Sequence, residues 1–345
     1  MKILPICLER QKMKIAVISV TTAGDKISDE IKKYFSVDLY SKNNVEGFKL
    51  KDAAKKAMSN YKAVVFISST GIAVRAISSY IKSKDKDPAV IVIDSSCKFV
   101  ISLLSGHLGG ANELTCKLAS ILKAVPVITT ATDNIGVKAP DVFAKENGLL
   151  INDLKDAKYI AALLVEGKKV GFIDEDKLLD VPKGYSSNLD NIEGLLYITN
   201  KYKVSEENFK SIKTLKLIRK NVVLGIGCRK NFDSKQMIET VKKLLLDYNI
   251  DERAVKIVTS YDIKREEKAI IELAKFLKAQ FKTFTKEDIK SVEHKYKGSN
   301  FVEERVGVKA VCEPCVELAR GKILVNKLNL SGMTLCIGKE IYNAR

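Results

Sequence analysis

One of the chain's two histidines lies in "SLLSGHLGGANEL", Ser102 to Leu114, between two apolar segments. Around His107 stand Ser105, Gly106, Gly109, Gly110, Asn112 and Glu113. Histidine gives or takes a proton near neutral pH. Glycines let a backbone come close to a ligand. A helix starting near Gly110 offers unpaired N–H donors and the positive end of its dipole, with Asn112 and Glu113 in its first turn. The turn therefore suits an anion or an oxyanion. It also suits a plain strand-to-helix connection whose glycines serve only geometry.

Three further places carry small polar residues: "SSTG" (Ser68–Gly71), Asp94, and "TTATD" (Thr129–Asp133). Arg75 follows the first and can meet a carboxylate. Thr132 or Asp133 can also act as a simple helix cap. In "GIGC", Gly225 and Gly227 match the first two positions of a dinucleotide fingerprint, but Lys230 replaces the third glycine. There is no phosphate-binding G-x-x-x-x-G-K-[ST] loop, so support for a nucleotide is weak. "CEPC" (Cys312–Cys315) is a lone C-x-x-C. A tetrahedral metal would need Cys228 and Cys336 as well, gathered by the fold. Core or surface thiols are the simpler reading. His294, in "SVEHKYKGSN", reads as a surface residue.

The elements that must position these groups alternate. "KIAVISVT", "AVVFIS" and "AVIVID" are β-rich apolar runs, separated by helical spacing over Asp25–Lys33 and Ile72–Ile81. "KFVISLL" after "SSC" reads as a hairpin partner. A helix then carries Ala111, Leu114, Leu118, Ile121 and Leu122, and "VPVITTATD" returns as a strand. This alternation implies a largely parallel sheet with crossover helices. Ligands collect at the carboxyl ends of such strands. All four polar segments are expected to converge there.

Farther on, a helix over Leu154–Val165 and the strands "KVGFID" and "LLYITN" form a smaller region. "NFKSIKTLKLIRKN" (Asn208–Asn221) reads as a basic connector. A new unit opens at "VVLGIGCRK" and runs through a helix capped by Asp233 or Ser234. A helix over Gly307–Ala319 and two closing strands complete it. The fold class is thus α/β and multi-domain. An N-terminal parallel or mixed sheet with flanking helices spans 13–147, a small central α/β region with its connector spans 148–220, and a C-terminal α/β domain spans 221–345. A strand starts cleanly at Met13, so residues 1–12 read as an extension, without the features of a secretory signal.

Across 345 residues the formal net charge is +17. That field favours anionic partners. The lysines are spread along the helices with no nucleic-acid motif, so nucleic acid is not an expected partner. No apolar run approaches the roughly 20 residues that span a bilayer, so no membrane association is expected. Seven irregularly spaced cysteines read as reduced thiols of a cytoplasmic protein.

"STGIAVRAI", "KDKDPAVIVID", "VISLLSGHLGGANELT" and "PVITTATD", in this order, closely resemble the N-terminal domain of the CbiG family, the cobalt-precorrin-5A hydrolases of anaerobic cobalamin biosynthesis. "VVLGIGCRK" and "GVKAVCEPCVELA" look like that family's C-terminal domain, related to the CobE proteins. The resemblance covers about residues 13–340. Two departures stand out. The family usually has small residues at Cys312 and Cys315, and in many members a glycine stands where this chain has Cys97.

The resemblance implies a substrate and a reaction. A cobalt-containing, ring-contracted tetrapyrrole has its δ-lactone opened by water and loses a two-carbon fragment as acetaldehyde. Cobalt comes with the substrate, so no separate cofactor or protein-held metal is implied. Neighbouring pathway enzymes are expected as transient partners. In this reading His107 is the leading acid or base, with Glu113, Asp94 and Asp133 as rivals. Backbone donors near Gly109 and Gly110 face an oxyanion. Gly71, Arg75, Ser105, Gly106, Asn112, Thr129, Thr130 and Thr132 line the substrate, with Arg75, Thr130 and Thr132 toward its carboxylates. Gly227, Cys228, Arg229 and Glu313 form another wall, hold the product, or only stabilise the fold. The alternative function is a corrinoid carrier without turnover.

Overall fold

The computed structural model describes residues 14–83, 86–131, 135–204, 209 and 211–341. The expected extension, Thr132 and Asp133 lie outside them. The chain divides after Phe143 into two compact units.

Three apolar runs without a polar break become the buried centre of the first unit: β1 (Lys14–Ser19), β3 (Ala63–Ile67) and β4 (Ala89–Ile93). Strands covered on both faces read as continuous hydrophobic runs. With β2 (Ser36–Tyr40), β5 (Phe99–Leu104) and β6 (Val125–Val127) they form one sheet in the order β2-β1-β3-β4-β5-β6. Helices α1 (Thr22–Lys32) and α4 (Ala111–Leu122) cover one face through Ile31, Leu114 and Leu118. Helices α2 (Leu50–Asn60) and α3 (Thr70–Ile77) cover the other with Ala54, Ala57, Ala73 and Ile77. The last strand of this sheet is shorter than "VPVITTATD" suggests: it stops at Val127.

β4 and β5 pair antiparallel, as the hairpin reading expects, with Ile93 opposite Val100 and Val90 opposite Leu104. β6 then runs parallel to β5. This reversal corrects the expected convergence of the four polar segments. Ser68–Gly71 and Asp94 leave the carboxyl ends of parallel strands β3 and β4 at one rim. The His107 turn and Thr129–Thr130 leave β5 and β6 at the opposite rim.

Helix α5 (Pro140–Glu146) leads into the second unit, which holds two sheets. One contains β7 (Leu150–Ile151), β8 (Val170–Asp174), β9 (Tyr185–Ser186), β10 (Gly194–Thr199) and β11 (Lys213–Ile218), with α6 (Leu154–Val165) packed on it. Strand β11 corrects the reading of 208–221 as a connector. Leu215, Leu217 and Ile218 are fully buried, and Lys216 is only 8% exposed. The interleaved lysines hide a core strand. Lys216 tolerates burial because its Nζ lies 2.8 Å from Asp251 Oδ2 and donates to the carbonyls of Lys201 and Tyr202.

The other sheet is ordered β14-β13-β12-β16-β15. Its strands are β12 (Val222–Cys228), β13 (Val255–Tyr261), β14 (Gln280–Phe284), β15 (Gly321–Leu330) and β16 (Met333–Glu340). Helices α7 (Ser234–Asp247), capped by Asp233, and α8 (Lys268–Phe276) cover one face. Helices α9 (Lys286–Val292) and α11 (Cys312–Leu318) cover the other. The expected helix over 307–319 is shorter. A separate α10 (Asn300–Val306) ends at Gly307, whose φ of 76° stops it, and α11 begins at Cys312.

The two sheets of this unit meet in a buried polar seam. Arg219 forks onto Asp174, with both N–O distances 2.8 Å, and reaches Asp176 at 3.0 Å. Asn221 bridges Asp176 and Asn200, and Lys339 pairs with Asp176.

Candidate active site

Strand β5 ends at Leu104, and the chain turns at Ser105, which takes a left-handed φ of 58°. Gly110 caps α4 with φ 84°. Gly109 is required by space: a Cβ there would sit 2.4 Å from Ser105 Cβ. The turn closes on itself. Gly110 N–H donates to His107 O, Ala111 N–H to Ser105 O and Asn112 N–H to Gly106 O. The first amides of α4 are therefore already used, which corrects the expected set of open donors. The Gly109 N–H makes no hydrogen bond among the described residues. The Ser105 hydroxyl is buried and likewise has no partner among them.

His107 is held by a residue that sequence reasoning missed. Its Nδ1 lies 3.2 Å from Asp141 Oδ1, and both side chains are nearly buried. Asp141 stands in the first turn of α5 behind Pro140, and the same oxygen accepts from Val142 N–H. The only sequence signal is the helix-opening "APD". An ionised carboxylate on Nδ1 favours the tautomer with its proton there and leaves Nε2 to exchange protons. Asn112 ties the turn to its neighbours: its Oδ1 accepts from Ser102 Oγ at 2.7 Å and its Nδ2 donates to Thr130 Oγ1 at 2.9 Å. Thr129 is exposed beside it.

The structure separates the other candidates from this site. Glu113 points outward from α4 and pairs with Lys117 at 2.8 Å. Asp94 organises the β4–β5 hairpin: one oxygen accepts from Phe99 N–H at 2.6 Å, and the other from Ser96. Burial pushes its carboxyl up, but these hydrogen bonds outweigh burial and hold it below the usual carboxylate range. An acceptor so engaged makes a poor proton carrier. Gly71 and Arg75 share the Asp94 rim, where the exposed Arg75 folds back onto Gly71 O at 3.3 Å.

Gly227, Cys228 and Arg229 do come together in the second unit. They line a cleft of about 1350 Å³ at the carboxyl ends of β12 and β13. Glu313 does not line it: this largely buried residue accepts from Lys327 N–H at 3.2 Å. Burial pushes the Cys228 thiol up to about 11. Gly225 has a packing role, because a Cβ there would lie 2.0 Å from the Cys312 carbonyl oxygen. Gly225 lets α11 press against β12, while Gly227, whose Cβ would lie 2.7 Å from Thr334 Oγ1, lines the cleft. Cys312 and Cys315 are buried free thiols. No cluster of three or more His, Cys, Asp or Glu among the described residues is placed to hold a metal ion. No helix among them is long and apolar enough to cross a membrane.

Comparison with known proteins agrees with the motifs. The models "Cobalamin synthesis G N-terminal", "Cobalamin biosynthesis central region" and "Cobalamin synthesis G C-terminus" match residues 52–133, 138–210 and 222–338. A cobalt-precorrin-5A hydrolase from Salmonella typhimurium is 33% identical over 94% of this chain and 97% of its own. This chain belongs to the CbiG family. A second cobalt-precorrin-5A hydrolase, from Priestia megaterium, is 27% identical over 90% of each chain. The crystal structure of a cobalamin biosynthesis protein G homolog from Sulfolobus solfataricus is 22% identical, covers 95% of this chain and 97% of its own, and has a TM-score of 0.40. As a CbiG protein the chain is an enzyme of cobalamin biosynthesis. Cys97, in the turn of the β4–β5 hairpin, takes φ 58°, in the left-handed region that glycine adopts most easily.

Proposed function

We propose that this protein opens the δ-lactone of cobalt-precorrin-5A and releases acetaldehyde, giving cobalt-precorrin-5B. Water adds to the lactone carbonyl and the ring C–O bond breaks, leaving a carboxylate and a hydroxyl on the two-carbon fragment. That hydroxyl loses its proton as its carbon becomes the aldehyde. The C–C bond to the macrocycle breaks, its electron pair goes to the ring, and a proton replaces the lost fragment. Cobalt arrives and leaves with the macrocycle.

The observation that carries this reading is the His107–Asp141 pair at 3.2 Å, set in a glycine turn. Nε2 of His107 takes a proton from the attacking water and returns it during fragment loss. Asp141 is a positioning residue that fixes the imidazole and steadies its charged form. The Gly109 N–H and the Ser105 hydroxyl are the polar groups of the turn that can meet the oxyanion. Glu113 and Asp94 drop out as bases because each is engaged elsewhere.

Incubation with cobalt-precorrin-5A should release acetaldehyde in step with loss of the lactone. His107→Ala should lower kcat by roughly 10²–10⁴ and leave substrate binding near normal. Tight binding by the wild-type chain with no acetaldehyde would instead make it a carrier.

A further inference from the structure

We propose that the cleft of the second unit is a binding site for the carboxylate-bearing edge of a tetrapyrrole. The cleft opens where β12 and β13 end side by side and β16 begins beside β12 in the opposite direction. In open α/β sheets, ligands collect outside the carboxyl ends of parallel strands, which is where β12 and β13 end. At about 1350 Å³ it exceeds the roughly 300–1000 Å³ of ordinary small-molecule pockets.

Its chemistry has two parts. Cys228, Tyr261, Val306, Val311 and Met333 supply an uncharged floor, the thiol staying protonated at neutral pH. Lysines and arginines outnumber the lining acids Asp233, Glu266 and Glu267 by more than two to one. Two of those acids are occupied: Asp233 caps α7 through Gln236 N–H at 2.7 Å, and Glu267 holds Lys264 at 3.0 Å. Arg229, Lys230 and Lys327 make no ion pair among the described residues. Arg229 is set in place: its N–H donates to Gly332 O, its guanidinium lies 5.7 Å from the Phe232 ring centre, and a Cβ at Gly332 would press within 3.1 Å of its Nε. A broad apolar floor under a cationic rim fits a flat body fringed with carboxylates. A phosphate backbone is a poorer match, because nothing here tracks an extended charged strand.

The identity of the natural ligand rests on the hydrolase reading, whereas the charge and size of the cleft stand without it. The test is a titration of the full chain with uroporphyrin III, an octacarboxylate tetrapyrrole, followed by its absorbance. Uroporphyrin should bind more tightly than the tetracarboxylate coproporphyrin, and added salt should weaken it. The variant Arg229→Gln/Lys230→Gln/Lys327→Gln should weaken binding about tenfold or more. The charge-keeping variant Arg229→Lys/Lys230→Arg/Lys327→Arg should retain binding. Binding by the glutamine variant equal to wild type, equal loss in both variants, or displacement of porphyrin by duplex DNA would each overturn the assignment. The two readings fail separately. Missing acetaldehyde with charge-dependent porphyrin binding sinks the hydrolase and keeps the cleft. Acetaldehyde release with charge-independent porphyrin binding does the reverse.

Discussion

A histidine becomes useful for moving protons when something fixes which nitrogen holds one. Asp141 meets that need for His107, so replacing it tests the pair without removing the imidazole. Asp141→Asn should lower kcat by about 10²–10⁴, because an amide no longer steadies the imidazolium. Steady-state acetaldehyde release with KM near wild type, and partial recovery in Asp141→Glu, would separate positioning from a folding defect. His107 was legible because it stands alone among glycines. Its partner was not, since an aspartate in the first turn of a helix is common for its favourable place near the helix dipole alone. Asp94 and Glu113 show the same limit from the other side. A carboxylate in the sequence does not say whether its oxygens are taken by a hairpin or by a neighbouring lysine.

At the scale of elements, unbroken apolar runs made β1, β3 and β4 plain from the sequence, and helical spacing revealed α4, α6 and α7. β11 escaped because its lysines interrupt its core residues, and Lys216 can be buried only through partners remote in sequence, Asp251 and the carbonyls of Lys201 and Tyr202. The β4–β5 hairpin was legible, yet it places the His107 turn on the far rim. The helix-to-strand contact at Gly225 is the most demanding of these joints. Gly225→Ala should cost about 2–3 kcal/mol, since the neighbour that must yield is backbone rather than a flexible side chain. A urea midpoint shifted down with an unchanged slope would show it.

Across the second unit, the seam at Arg219 and Lys216 makes stability depend on ionised carboxylates. Burial pushes Asp174 and Asp251 up, but Arg219 on the first, and Arg253 with Lys216 on the second, outweigh it and hold both below their ordinary values. Their contribution is whole above the unfolded carboxyl value of about 3.9 and is lost as pH falls through the lower folded values. Urea midpoints should be level from about pH 7 to 5 and drop below about pH 4. Arg219→Ala should cost about 3–5 kcal/mol at neutral pH by leaving the buried Asp174 carboxylate without its cation, with acid unfolding moved to higher pH. The reversal of β5 bears on how such a chain can diverge over generations. Residues 68–75 and 105–112 share a sheet but not a rim. A substitution around Arg75 at one edge leaves the turn at residues 105–112 on the other edge untouched, so the two edges can change independently.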